Sequence, residues 1–210
     1  MVQLTRSGLV ASGPAAHVER LRAQFEERSC VRLPALIEPG LLAFIQQQID
    51  LADFAPQGHE GVGRETAMIQ NVTFSLLHFL TNDTHLFELV RQITGCARIG
   101  CFIGRVYRLI PGLGHAADWH SDTFECRMIG MSVNLSTDIY QGGTFHLRKV
   151  GSTAPLCEIA NTGAGDAILF RIAKDLEHQV TAVEGTTPKT AFAGWFRSQP
   201  EFLSLIAARP

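Results

Sequence analysis

Between about residues 97 and 197 the chain breaks into short apolar runs punctuated by Gly, Pro and Asp, and this pattern constrains its fold more than any other feature. The candidate strands are 99–110, 116–121, 127–136, 143–149, 156–160, 167–171, 178–184 and 189–197. So many short strands without intervening helices point to a sandwich or jelly roll. Two runs show which face points where. Ile129, Met131, Val133 and Leu135 alternate with Gly130, Ser132 and Asn134. Thr190, Phe192 and Phe196 alternate with Lys189, Ala191, Ala193 and Trp195. Side chains leave a strand on alternate faces, so each strand has one bulky apolar face and one small or polar face. The small faces either leave room for a ligand inside a barrel or face solvent; the alternation fits both.

The preceding stretch reads as helical support. Ser12-Gly13-Pro14 signals the start of a helix over 14–28, and Cys30-Val31-Arg32-Leu33 is a short strand ended by Pro34. Glu38-Pro39-Gly40 opens a second helix with Leu41, Leu42, Phe44, Ile45 and Ile49 as its apolar stripe. Residues 54–70 are rich in Gly and polar groups and read as a long loop. With Gly58, Gly61 and Gly63 it is either a candidate lid or an ordinary surface loop. Helical periodicity returns at 74–80 and 84–94. The expectation is one domain: helical support over 14–94, packed on one sheet of a mainly β, double-stranded β-helix core over 97–197, then a tail at 198–210.

Composition narrows the function classes. The 210 residues suit a single domain with a sizeable core. A formal charge of −2 gives no basic surplus for a nucleic-acid backbone or an anionic membrane. The N-terminus has no charged-then-apolar leader pattern and no apolar run reaches membrane length, so cytoplasmic residence is the expectation. The five cysteines, Cys30, Cys96, Cys101, Cys126 and Cys157, are odd in number and scattered, which predicts buried thiols rather than a disulfide or thiolate framework.

His120-Ser121-Asp122 is an H-x-D triplet. On a strand, both side chains would leave the same face and could meet one metal. Alone it is weak, since about 0.4 such triplets arise by chance at ordinary composition. A second His from a distant strand would complete a facial set of two His and one carboxylate, which suits Fe(II) because it leaves positions open. His178 follows Gly165-Asp166-Ala167-Ile168-Leu169-Phe170, and Pro188-Lys189 comes after it. Lys189 falls on the small-residue face, where a buried cation needs an anion. A dicarboxylate chelating the metal at one end would supply one; the other reading is a lysine exposed at a strand end.

The order Arg105-Val106-Tyr107, Pro111-Gly112, His120-Ser121-Asp122, Arg127, Gln141-Gly142-Gly143-Thr144-Phe145, Gly165-Asp166, His178-Gln179-Val180, Pro188-Lys189 and Trp195-Phe196 resembles the Fe(II)/2-oxoglutarate dioxygenases of the prolyl-hydroxylase type. The match runs over about residues 97–197. It implies a jelly-roll fold and His120, Asp122 and His178 as iron ligands. It also implies Lys189 as the partner of the distal carboxylate of 2-oxoglutarate, with Tyr107 and Trp195 beside the cosubstrate. Asn134 stands where members often have a Tyr, and its amide could donate the same bond. The implied cofactors are Fe(II), 2-oxoglutarate and O2, with ascorbate as reductant. The implied reaction is hydroxylation of a peptidyl residue, an amino acid or a small metabolite. Related halogenases lack the carboxylate, so Asp122 favours hydroxylation. His115, His146, Arg105, Arg108 and Arg127 could reach the substrate, or could pair structurally with Asp118, Glu125 or Asp138. The competing reading is a cupin-like metal-binding barrel acting as a non-oxidative enzyme or a small-molecule sensor. Such a barrel has no need of an inward Lys189.

Overall fold

The structure is a computed structural model that describes residues 2–11, 15–124, 126–160 and 162–207. The predicted helix start at Ser12–Pro14 and the candidate partner Glu125 lie outside the described residues. The chain opens with a hairpin, β1 (Val2–Thr5) and β2 (Gly8–Ala11), followed by α1 (Ala15–Arg28), β3 (Cys30–Leu33) and α2 (Pro39–Asp50). A second hairpin, β4 (Phe54–His59) and β5 (Gly63–Met68), precedes α3 (Val72–Thr81) and α4 (Thr84–Thr94). The strand-rich part begins with β6 (Cys101–Leu109), β7 (Ala116–His120), β8 (Arg127–Asn134), β9 (Gln141–Gly142) and β10 (Phe145–Lys149). It ends with β11 (Pro155–Ile159), β12 (Ala167–Arg171), β13 (Leu176–Val180), β14 (Val183–Glu184), β15 (Lys189–Arg197) and a short helix α5 (Phe202–Ala207).

The helices stop and start where local chemistry dictates. Glu38 caps α2 by accepting from Gly40 N and Leu41 N at 2.9 and 2.8 Å, and Pro39 stands where a missing N–H costs nothing. Asn71 and Asp83 cap α3 and α4 in the same way. Each helix turns its apolar stripe to the sheet: Leu21 and Phe25 from α1, Leu41, Ile45 and Ile49 from α2, and Leu86, Val90 and Ile93 from α4. They meet Ile129, Met131 and Val133 of β8 and Phe192 and Phe196 of β15 in the main core. The alternation read from the sequence therefore holds, with bulky faces under the helices. The opposite faces of β6, β8 and β15 turn to the interior of the barrel.

Eleven strands form one antiparallel sheet, ordered β11-β10-β13-β7-β5-β6-β15-β8-β12-β3, with β4 added on β5. The sheet curls into a near-closed jelly roll. Its two outer strands, β11 and β3, are joined by a disulfide between Cys157 and Cys30, whose Cα atoms are 6.6 Å apart. This corrects the expectation of five thiols. The pair is 127 residues apart in sequence and becomes adjacent only when the sheet brings its own edges together. Cys101 is buried and Cys96 and Cys126 are half-buried, all three as free thiols.

Three further expectations are corrected. Residues 54–70 are neither loop nor lid. Most of them form the β4–β5 hairpin, and β5 lies within the sheet between β7 and β6. Its polar composition reflects a mostly exposed β4 and, on β5, the buried Glu65 and Thr66, which are hydrogen-bonded to Arg105 and to Arg108 O, while Gly61 and Gly63 serve the tight turn and a close backbone approach. The tail at 198–210 contains α5, and the run 178–184 divides into β13 and β14. Among the described residues no helix is long and apolar enough to cross a membrane.

Candidate active site

His120 and His178 meet because β7 and β13 pair in register, placing the two residues directly opposite each other. Their rings lie 4.2 Å apart. Asp122 lies two residues past the end of β7, not on the strand as the H-x-D reading supposed. It nevertheless returns to the pair: Oδ2 is 3.5 Å from His178 Nε2, and Oδ1 is 4.0 Å from His120 Nε2. One ligand atom from each of the three residues falls within 4.8 Å of the others.

The chemistry of this donor set fits a divalent metal. His120 Nδ1 is 2.6 Å from the carbonyl oxygen of Asp118, so Nδ1 carries the proton and donates it, leaving Nε2 as the free lone pair. His178 is buried against Phe170 and Phe145, with ring centroids at 4.6 and 5.9 Å. Burial, followed by the neighbouring His120, pushes its pKa down to about 4, with Asp122 opposing. A neutral imidazole is the form that binds metal. Gly130 makes room for this packing, since a Cβ there would sit 2.1 Å from the Phe170 ring.

A cavity of about 90 Å³ adjoins the cluster, with Glu65, Arg105, Tyr107, Leu109, Val180 and Trp195 among its lining residues. Tyr107, whose facing was ambiguous in the sequence, is buried on this wall, and burial raises its pKa while Ser132 bonds its phenol. Trp195 also lines the cavity, and its indole N–H donates to Asp122 Oδ2 at 2.6 Å. Arg127 donates to Asp122 Oδ1 at 3.3 Å.

Lys189 lies on the same face of β15 as Ala191, Ala193 and Trp195, at the far end of the strand, and is not among the residues that line the cavity. It is 6% exposed and pairs in register with Leu109 of β6. Its ammonium donates to Gly143 O at 2.6 Å and stands 5.5 Å from the centre of the Tyr140 ring. No carboxylate of the described residues pairs with it, and burial lowers its pKa to about 8.

Asn134 does not fit its expected role. Its Nδ2 donates to Thr162 O at 2.6 Å and its Oδ1 accepts from Ser136 N at 3.0 Å, so the amide shapes the chain after β8 and lines no part of the cavity. The aromatic ring beside Lys189 is Tyr140, which lies between strands, where no alternation signals its facing. Glu65 was also missed, because its segment read as a loop. It accepts from Arg105 Nε at 2.5 Å, and His59 Nε2 stands 3.2 Å from Arg105 Nη2. Of the other candidates, Arg108 faces away from the cavity toward Asp50 and the Phe54 ring. His115 accepts from Ile110 N in a turn, and His146 lies beside Glu158. Among the described residues Arg105 pairs with Glu65, Arg108 with Asp50 and Arg127 with Asp122.

The family model described as the 2OG-Fe(II) oxygenase superfamily matches residues 104–197. Among solved structures, a Pseudomonas putida prolyl-4-hydroxylase is similar, with a TM-score of 0.67 and 15% identity over 87% of this chain and 99% of that one. A Trichoplax adhaerens prolyl hydroxylase in complex with a hypoxia inducible factor peptide fragment gives 0.66 and 12%, over 89% of this chain and 94% of that one. HygX from Streptomyces hygroscopicus, with nickel, 2-oxoglutarate and hygromycin B bound, gives 0.59 and 13%, over 88% of each chain. These likenesses are likenesses of fold. A comparison of the sequence with curated proteins gave no significant match. The segment that matches the 2OG-Fe(II) oxygenase superfamily model, residues 104–197, carries His120, Asp122, His178 and Lys189.

Proposed function

We propose that this protein couples the oxidative decarboxylation of 2-oxoglutarate to hydroxylation of a substrate C–H bond, with Fe(II) held by His120, Asp122 and His178. The observation that carries this reading is the convergence of two imidazoles and one carboxylate on a common point beside a cavity. When bound, Fe(II) supplies the site of O2 reduction, and 2-oxoglutarate supplies two electrons as it is cleaved to succinate and CO2.

The chain's own residues do the rest. The two histidines present Nε2 lone pairs on paired strands, and Phe145 and Phe170 keep water from the back of His178. Lys189, with Tyr140 alongside, offers a buried cation that lacks an anionic partner, and the distal carboxylate of 2-oxoglutarate would provide one. A non-oxidative barrel or a sensor would leave that cost unexplained. Tyr107 and Leu109 line the cavity beside the three ligands, and Leu109 pairs in register with Lys189. At about 90 Å³ the cavity is well below the ~300–1,000 Å³ of sites that engulf a drug-sized ligand. It suits the cosubstrate and a narrow part of the prime substrate, such as one side chain of a peptide or one edge of a metabolite.

The test is iron-dependent succinate formation from 2-oxoglutarate, assayed with ascorbate as reductant. His178→Ala and Asp122→Ala are expected to abolish it, and Lys189→Ala to raise the 2-oxoglutarate requirement at least tenfold while iron still binds. Failure of the Fe(II) protein to bind 2-oxoglutarate anaerobically would sink the cosubstrate assignment. Unchanged 2-oxoglutarate affinity in Lys189→Ala would move the anchor elsewhere.

A further inference from the structure

We propose that Trp195 and Arg127 are positioning residues that grip Asp122 from both sides and hold it to one-oxygen attachment to the metal, so that a coordination position stays open. The inference rests on reading His120, Asp122 and His178 as the metal site. Each carboxylate oxygen has its own donor: Oδ2 takes the indole N–H of Trp195 at 2.6 Å, and Oδ1 takes Nη1 of Arg127 at 3.3 Å. The donors brace one another, because the Arg127 guanidinium lies 3.6 Å from the centre of the Trp195 ring. Phe124 flanks the same guanidinium at 5.6 Å.

The clamp answers a local problem. Asp122 lies beyond β7, so no strand ladder fixes its backbone. A carboxylate free to turn can offer a cation one oxygen or both. Taking both would fill a position that a two-His, one-carboxylate centre keeps open for its reactants. With a protein donor on each oxygen, whichever one the metal takes, the other stays tethered.

The arrangement also requires a departure from regular sheet geometry. Alternation along β8 would set Arg127 on the same face as Ile129 and Met131, under the helices. The ladder between β15 and β8 instead slips by one residue: Phe196 pairs with Ile129, but Arg197 pairs with Arg127, leaving Met128 over. Such a bulge re-aims the side chains at a strand end. Here it brings Arg127 to Asp122, which a regular strand would not do.

Co(II) is the probe, titrated into the metal-free protein and followed by its visible ligand-field absorption. Trp195→Phe keeps an aromatic ring and removes only the N–H donor, and Arg127→Met keeps the stem and removes the guanidinium. Each is expected to weaken Co(II) binding about 10- to 100-fold, the usual effect of losing a partner of a metal ligand. Each is also expected to weaken the ligand-field bands, as a second carboxylate oxygen raises the coordination number. A purely structural role would shift thermal unfolding of the metal-free protein and leave the spectrum of the loaded protein alone. Wild-type affinity and spectrum in Trp195→Phe would overturn the clamp; if that variant does not fold, Arg127→Met decides by the same two readouts. Failure of the wild-type protein to bind Co(II), or equal binding by His178→Ala, would overturn the metal reading and the clamp with it.

Discussion

Lys189 is the residue whose chemistry most depends on what is bound. Its pKa is about 8 in the fold against 10.5 for an ordinary lysine, with burial as the cause. Below pH 8 the ammonium is charged in both folded and unfolded chains, and the fold bears the full cost of burying it, on the order of 3 kcal/mol. That cost fades as pH rises from about 8 to 10.5, so this group makes the ligand-free protein more stable with rising pH across that window. Tyr107 and Tyr140 are both held above their ordinary pKa by burial. Lys189→Met is expected to stabilise the ligand-free protein by roughly 1–3 kcal/mol at pH 7 and by much less at pH 10, read by urea unfolding. A variant no more stable than wild type at pH 7 would show that the buried charge carries no such cost. At this scale the sequence disclosed the residues whose order along the chain is diagnostic, and hid those defined by a neighbour. Asn134 stands where the family it resembles often has a Tyr, yet its amide is engaged by Thr162 and Ser136, while the Tyr140 ring lies beside Lys189 from between two strands.

At the scale of elements, the β4–β5 hairpin is where composition misled. Gly and polar residues suggested a loop, but β4 is mostly exposed and the polar groups that β5 buries are hydrogen-bonded. Here β5 buries Glu65, Thr66 and Met68 and joins β6 to β7. Gly63 is what lets it approach: its φ is +151°, and a Cβ there would lie 2.0 Å from Ala116 O. Gly63→Ala is therefore expected to push β5 off β7 and cost about 1–3 kcal/mol. Gly58, with open space where its Cβ would go, is the control, and Gly58→Ala should stay within about 0.5 kcal/mol of wild type. Thermal unfolding of the two variants distinguishes these outcomes; equal losses would mean that the hairpin's seat on β7 does not depend on that contact. The strands from β6 to β15 were legible because alternation and turn residues are local signals. The one-residue slip beside Arg127 was not, since a bulge is a property of a strand and its partner together.

For the whole molecule, the double-stranded β-helix was readable from the strand-rich texture, but its closure was not. Sequence spacing says nothing about two cysteines 127 residues apart until the order of strands is known. The Cys30–Cys157 bond spans the two edges of the curled sheet, and edges are where a β-fold opens and aggregates. Cross-linking so long a loop contributes roughly 2–5 kcal/mol. Reduction, or Cys157→Ser, is expected to lower the midpoint of thermal unfolding by on the order of 5–15 °C, measured by calorimetry with and without reductant. An unchanged midpoint would mean that the hydrogen-bonded sheet holds its seam unaided. The bond also changes the connectivity of the polymer. Residues 30–157 form a covalent ring that contains His120 and Asp122, while His178 and Lys189 lie on the strand-forming segment that leaves it. A protease cutting the exposed turn between β4 and β5 would therefore open the ring without releasing a fragment, and the cut protein would remain one molecule until the cystine was reduced.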